Sequence, residues 1–169
     1  MGSDITIRRA IPSDLAALGR LGAALLVLHH ELDRLRFIPP GTDPEAGYAW
    51  FLGTQLDEPD AAVFVAECDA DVLGYVYCSV EPHSWKELRD EAGFIHDLMV
   101  APAGRRLGVA TRLLDEATQW LAARGVPRVV LWAAEHNTVA QRFFAGAGFR
   151  RTMVEMTREL TAAATEERR

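Results

Sequence analysis

The sequence predicts one α/β (α+β) domain, a central mixed and mostly antiparallel sheet flanked by helices. Three observations carry that expectation. The elements run β-α-α-β-β-β-α-β-α-β, without the regular alternation of a doubly wound parallel sheet. A length of 169 residues suits a single compact domain. A composition of 49% hydrophobic and 25% charged residues, with no low-complexity block, is that of a chain with a packed core.

Ile5-Thr6-Ile7-Arg8 alternates like a short strand, and Ile11-Pro12-Ser13-Asp14 supplies helix-start chemistry. Leu15, Leu18, Leu21, Leu25, Leu28 and Leu32 then recur at helical spacing. Phe37 to Thr42 interrupts that pattern, and Asp43-Pro44 opens a second helix bearing Tyr48, Phe51, Leu52 and Leu56. Ala62–Cys68 and Val72–Val80 form an antiparallel hairpin about an acidic turn at Asp69-Ala70-Asp71.

A polar excursion from Glu81 to Ala92 precedes a strand from Phe94 to Val100. A long helix carrying Leu113, Leu114, Ala117 and Leu121 ends at Gly125-Val126-Pro127. Val129–Ala134 reads as a buried strand, Asn137–Ala145 as a short helix, and Phe149–Leu160 as a final strand. The domain thus spans residues 1–160, with a polar tail over 161–169.

Composition narrows the function classes. A formal charge of -6 argues against nucleic-acid binding, which needs a basic face; it suits either plain solubility or attraction of a cationic substrate. The longest apolar run, Leu21–Leu28, is far shorter than the ~20 residues of a bilayer span, so no membrane association is expected. Met1-Gly2-Ser3-Asp4-Ile5-Thr6 fits a myristoylation pattern formally, but so short a match arises often by chance. Cys68 and Cys78 fall out of register across the hairpin, and with no secretory signal a reducing cytoplasmic setting is expected. No metal centre is expected: His29 and His30 are adjacent rather than on one helical face, and no His/Cys spacing fits zinc.

The informative segment is Ala101-Pro102-Ala103-Gly104-Arg105-Arg106-Leu107-Gly108-Val109-Ala110, lying between a strand and a helix. Such a turn points unpaired N–H groups at the space above the helix start, where the helix dipole also favours an anion. Gly104 and Gly108 permit close approach, and Arg105 and Arg106 add charge-assisted contacts to phosphate oxygens. The segment lacks the Lys-Ser/Thr of a Walker loop and the glycine spacing of a dinucleotide fingerprint.

Arg105, Gly108 and Ala110 instead match the Q/R-x-x-G-x-G/A signature of the GNAT family of N-acetyltransferases, which this sequence resembles. A second region, Asn137-Thr138-Val139-Ala140-Gln141-Arg142-Phe143-Phe144 followed by Gly148-Phe149, is similar to that family's Asn-x-x-Ala-x-x-Phe-Tyr and Gly-Phe. The resemblance is close over residues 94 to 160 and rests on element order before them.

It implies acetyl-CoA as cofactor and transfer of the acetyl group to a primary amine of a small molecule or peptide. The diphosphate would sit on Arg105, Arg106, Leu107, Gly108, Val109, Ala110 and Thr111. The pantetheine arm would lie along Leu98, Met99 and Val100, with Asn137, Phe143 and Phe144 completing the cofactor site. A homodimer formed through the last strand, Thr152–Leu160, is a further implication.

The chemistry requires an amine freed of its proton, hence a base or a proton-conducting water. His96-Asp97 resembles the Glu-Asp pair of spermidine/spermine-type members, and imidazole titrates near working pH. His96 is therefore a candidate base or a structural sheet histidine, and Asp97 a partner of the base or a holder of the loop. By the same resemblance the backbone amide at Leu98, or at its neighbour, polarises the thioester carbonyl. The resemblance also places His29, His30, Glu31 and His83 in segments that line the acceptor pocket, although solvation of a helix face explains the first three more simply.

Phe144 departs from the family pattern, standing where many members carry a tyrosine that protonates the leaving thiolate. Water, Tyr75 or Tyr77 could substitute. That departure keeps a second reading open, an acyl-CoA-binding sensor or partner subunit without transfer. A protein-directed acetyltransferase is a third.

Overall fold

The computed structural model describes residues 4–160. Five strands form one sheet in the order β1-β2-β3-β4-β5: β1 Thr6–Arg9, β2 Ala61–Cys68, β3 Asp71–Glu81, β4 Ala92–Val100 and β5 Val129–Leu131. The first four are antiparallel neighbours, and β5 runs parallel to β4. Helices α1 Leu15–Leu32 and α2 Pro44–Gln55 precede β2, α3 Val109–Ala122 follows β4, and α4 Thr138–Gly146 follows β5.

Strand alternation sorts the side chains into two cores. Phe64, Val76, Cys78 and Ile95 pack with Leu113, Ala117 and Leu121 of α3 on one face. On the other, Val63, Val65, Tyr75 and Tyr77 pack with Leu18, Leu21 and Leu52 of α1 and α2. The sheet is therefore the middle of three layers. The helical stretch Pro12–Leu32 has the length and hydropathy to cross a membrane. In this fold its apolar side, including Leu18, Leu21 and Leu25, is buried.

Local chemistry sets the joints. Asp43 caps α2 by accepting the Ala46 N–H at 3.1 Å, with Pro44 supplying the first helical residue. The β2–β3 turn places Asp69 and Ala70 at φ 49° and 68°, the left-handed pair that a tight hairpin requires. Arg8 of β1 ties the start of α1 to the sheet, donating to both oxygens of Asp14 at 2.7 and 2.9 Å and to Glu67 of β2. Cys78 pairs with Ala62 and Cys68 with Asp71, so the two thiols are out of register and free.

Two expectations need correction. The strand expected over Val129–Ala134 ends at Leu131. The final strand expected over Phe149–Leu160 is absent among the described residues, where 151–160 carry no regular structure. A strand needs a neighbour, and β5 already forms a three-residue edge that offers little to pair with. The tail at 161–169 and the Met1–Ser3 part of the myristoylation pattern lie outside the described residues.

Candidate active site

The strand β4 organises the site through an irregularity. Tyr77 pairs with Asp97 but Cys78 pairs with Ile95, so His96 is an extra residue facing no partner. A bulge of this kind breaks the two-residue alternation. Phe94 shares a face with Ser79, and beyond the bulge Asp97 and Met99 share that same face with Tyr77 and Tyr75. Consecutive residues His96 and Asp97 therefore both serve the side of the sheet that carries α1 and α2.

His96 lies stacked between rings, 4.7 Å from Tyr77 at 25° and 5.7 Å from Phe94 at 19°. Its Nε2 is 2.7 Å from Ser79 Oγ and 3.4 Å from Glu81 Oε1. Burial pushes its pKa below the ordinary imidazole value, opposed by the negative charges of Glu81 and Asp97. That shift favours the uncharged ring.

Asp97 accepts hydrogen bonds on Oδ2 from the phenols of Tyr48, at 3.2 Å, and Tyr75, at 3.0 Å. Its carboxyl is raised above the usual range because burial outweighs those two bonds. Tyrosines from α2 and β3 thus hold it in place. Tyr48 reaches it by lying against Gly22 of α1, where an added Cβ would fall 2.0 Å from the ring.

The turn after β4 leaves a run of backbone donors without backbone acceptors among the described residues. A single 3₁₀ turn, Pro102–Gly104, uses the Gly104 and Arg105 N–H groups. From Arg106 to Thr111 no backbone N–H finds a backbone acceptor among the described residues until the helical ladder begins with Arg112 to Gly108 at 3.1 Å. Arg106 and Gly108 both adopt left-handed backbone, φ 61° and 75°, as the chain turns into α3. Gly104 is buried, and a Cβ there would meet the Leu73 carbonyl oxygen at 3.0 Å. Arg105 and Arg106 are exposed and have no carboxylate partner among the described residues.

Beside this turn, β4 loses its parallel neighbour: β5 pairs only with Gly93, Phe94 and Ile95. The β5-side edge of β4 from His96 through Leu98, Met99 and Val100 pairs with no strand among the described residues. Asn137 caps α4, accepting the Ala140 N–H at 3.1 Å, which commits its side-chain oxygen and leaves its amide N–H groups. Phe143 and Phe144 pack in a T-shaped pair, and Phe144 meets Phe149 at 5.8 Å.

Several of the side chains singled out from the sequence carry hydrogen bonds within the chain. His29 and His30 bond the carbonyls of Leu25 and Phe37. Tyr75 is fully buried on Asp97, and the Tyr77 hydroxyl donates to Gln55 at 2.9 Å. Neither phenol is a free acid at that edge. The motifs do not mark Tyr48, Ser79 or Glu81 as partners of this site. One signal does point to them: Tyr75, Tyr77, Ser79 and Glu81 alternate with apolar residues, which gathers their polar atoms on one face.

The site thus combines backbone donors at a helix start with a β4 edge that β5 leaves after Ile95. Residues 27–149 match the model of the acetyltransferase (GNAT) family, and the chain belongs to that family. An uncharacterized N-acetyltransferase of Archaeoglobus fulgidus is 33% identical over 104 residues, 62% of this chain and 67% of that one. The aminoglycoside N(6')-acetyltransferase type 1 of Klebsiella aerogenes is 25% identical over 118 residues, 69% of this chain and 78% of its own. In fold, aminoglycoside N-acetyltransferase AAC(6')-Iy in complex with CoA superposes with a TM-score of 0.74, covering 96% of this chain and 98% of that one at 20% identity. The chain is an acyltransferase.

Proposed function

We propose that the chain transfers an acetyl group from acetyl-CoA to a primary amine of a small molecule or peptide, by direct attack in a ternary complex. The observation that carries this reading is the run of unpaired N–H groups at Arg106–Thr111 beside the unpaired edge of β4. The residues fit the cofactor in kind. These N–H groups and the cations of Arg105 and Arg106 suit a diphosphate, and the free strand edge at Leu98–Val100 suits the amides of the pantetheine arm. Asn137 retains N–H donors for the same arm, and Phe143 and Phe144 wall it. When bound, acetyl-CoA supplies an activated acyl group.

The chain's own residues do the rest. His96, its pKa lowered by burial, takes a proton from the ammonium; Asp97 places negative charge beside the incoming cation; a backbone N–H at Leu98 supports the thioester oxygen. Phe144 cannot protonate the leaving thiolate, which with a solution pKa near 8.5 departs without an acid.

That same Phe144 favours a second reading, an acyl-CoA-binding sensor. Thiol release from acetyl-CoA against polyamines, aminoglycosides, amino acids and peptides separates the two. Amine-dependent release that drops about 10²-fold or more in His96→Gln supports transfer. Binding without release by any amine favours the sensor, and release only with intact proteins points to a protein acceptor.

Two coarser features complete the reading. Met153, Val154, Met156 and Leu160 are exposed at 65–90% in a segment that Arg36 ties down at Glu155 and that pairs with no strand among the described residues, which suits pairing with a second copy. Free Cys68 and Cys78 suit a cytoplasmic setting.

A further inference from the structure

We propose that Glu81, acting through Ser79, is a positioning residue that fixes the tautomer of His96, so that Nδ1 is the nitrogen that receives the proton. The proposal rests on the reading of His96 as base. It begins with one hydrogen. Ser79 Oγ lies 2.8 Å from Glu81 Oε1 and 2.7 Å from His96 Nε2, and a hydroxyl has a single proton to give.

A carboxylate only accepts, so the Ser79 proton goes to Glu81. The alternative, donation to His96, would set the hydroxyl oxygen against a carboxylate oxygen with no hydrogen between them. With its proton on Glu81, Ser79 presents lone pairs to His96, and Nε2 must carry the hydrogen. The order is Nε2–H to Ser79 Oγ, then Oγ–H to Glu81 Oε1. Nδ1 has no hydrogen-bond partner among the described residues and keeps its lone pair.

The remaining surroundings do not compete for this proton. From β3 the Tyr77 hydroxyl is turned to Gln55, and from α2 and β3 the Tyr48 and Tyr75 phenols are spent on Asp97. Arg89, in the β3–β4 connection, lies 4.8 Å over the Phe94 ring, on the β4 residue that stacks against His96. The carboxylates felt by His96 are Glu81 and Asp97, and His29 of α1 faces Asp97.

The proton balance is then explicit. An ammonium proton passes to Nδ1, giving an imidazolium whose Nε2–H stays on the Ser79–Glu81 chain. The freed amine attacks the thioester carbon; the C–N bond forms, the C–S bond breaks, and CoA leaves as thiolate. The second proton shed by the amide nitrogen neutralises the thiolate through solvent, and Nδ1 returns its proton to solvent. Glu81 stabilises the imidazolium without touching the substrate.

Long-range ¹H–¹⁵N spectra of the imidazoles, with His96 assigned by its loss in His96→Gln, test this without any amine, so failure here is distinct from failure of the transfer reading. The wild type should show the Nε2–H form. Glu81→Gln should lower the His96 titration midpoint by about one pH unit. Ser79→Ala should yield mixed tautomers, and Ser79→Thr should restore the single form. A wild-type ring protonated on Nδ1, or a midpoint unmoved in Glu81→Gln, overturns the proposal.

Discussion

At the scale of single residues, Asp97 concentrates the tension between stability and chemistry. Two phenols are spent on one carboxylate that burial nonetheless destabilises in its charged form. A carboxyl whose folded pKa is raised binds its proton more tightly folded than unfolded. The folded state is therefore penalised above that pKa and recovers as pH falls through it. Asp97→Asn escapes the penalty while keeping an acceptor for the phenols. Its Tm at pH 7 should exceed the wild type's by about 2–4 °C, which is ~1 kcal/mol for a domain of this size. The gap should narrow toward pH 4. A lower Tm at pH 7 would mean that the phenol bonds outweigh desolvation.

His96 and Asp97 are legible as a pair because two polar residues interrupt an apolar strand. Their service to one face is not, since it depends on a bulge that only pairing with β3 reveals. Ser79 and Glu81 stay hidden for a related reason: they lie 17 and 15 positions before His96, and only the register of β3 on β4 brings them together.

At the scale of elements, the α1–α2 contact governs the acceptor side. Gly19 and Gly22 lie three apart on α1, and α2 comes so close that a Cβ at Gly19 would sit 2.5 Å from the Glu45 carbonyl oxygen. Gly22 is where the Tyr48 ring rests. Gly22→Ala gains some helix propensity, under about 1 kcal/mol, but must move a half-buried ring. Overpacking of this kind costs ~1–3 kcal/mol. The variant should be destabilised in urea, and it should lose turnover beyond its loss of folded protein because Tyr48 leaves Asp97. Wild-type Cm and turnover would show that the ring relocates freely.

Helical spacing finds α1 and α3 by their apolar stripes and α2 by Tyr48, Phe51 and Leu52 after its Asp43-Pro44 start, and turn chemistry finds the β2–β3 hairpin. The end of the chain misleads because Phe149–Leu160 has strand composition, and composition carries no information about whether a partner exists. The donor run at Arg106–Thr111 is legible in kind, from glycines and arginines at a strand-to-helix joint. The left-handed backbone of Arg106 is not, because nothing in an arginine announces it.

At the scale of the whole molecule, the sheet separates two tasks. The face bearing α3 is almost purely apolar, while the face bearing α1 and α2 buries the tyrosines and carries the titratable groups. The unpaired edge of β4 leads directly into the turn whose N–H groups lack backbone acceptors among the described residues. The exposed alternation over Thr152–Leu160 belongs to this scale too. Analytical ultracentrifugation of the full chain should give a dimer, and removal of residues 151–169 should give a folded monomer. A full-length monomer at micromolar concentration would assign that segment another role.

Every step of the proposed chemistry depends on the cofactor turn before α3. Calorimetric titration of acetyl-CoA into the wild type and into Arg105→Glu tests it most directly, because Arg105 is exposed and its replacement leaves the core intact. The wild type should bind with a micromolar Kd. The charge reversal should weaken binding at least about tenfold, a loss of ~1.4 kcal/mol, with an unchanged circular dichroism spectrum. Equal affinity in the folded variant, or no binding by the wild type, would contradict the assignment of this turn as the cofactor site.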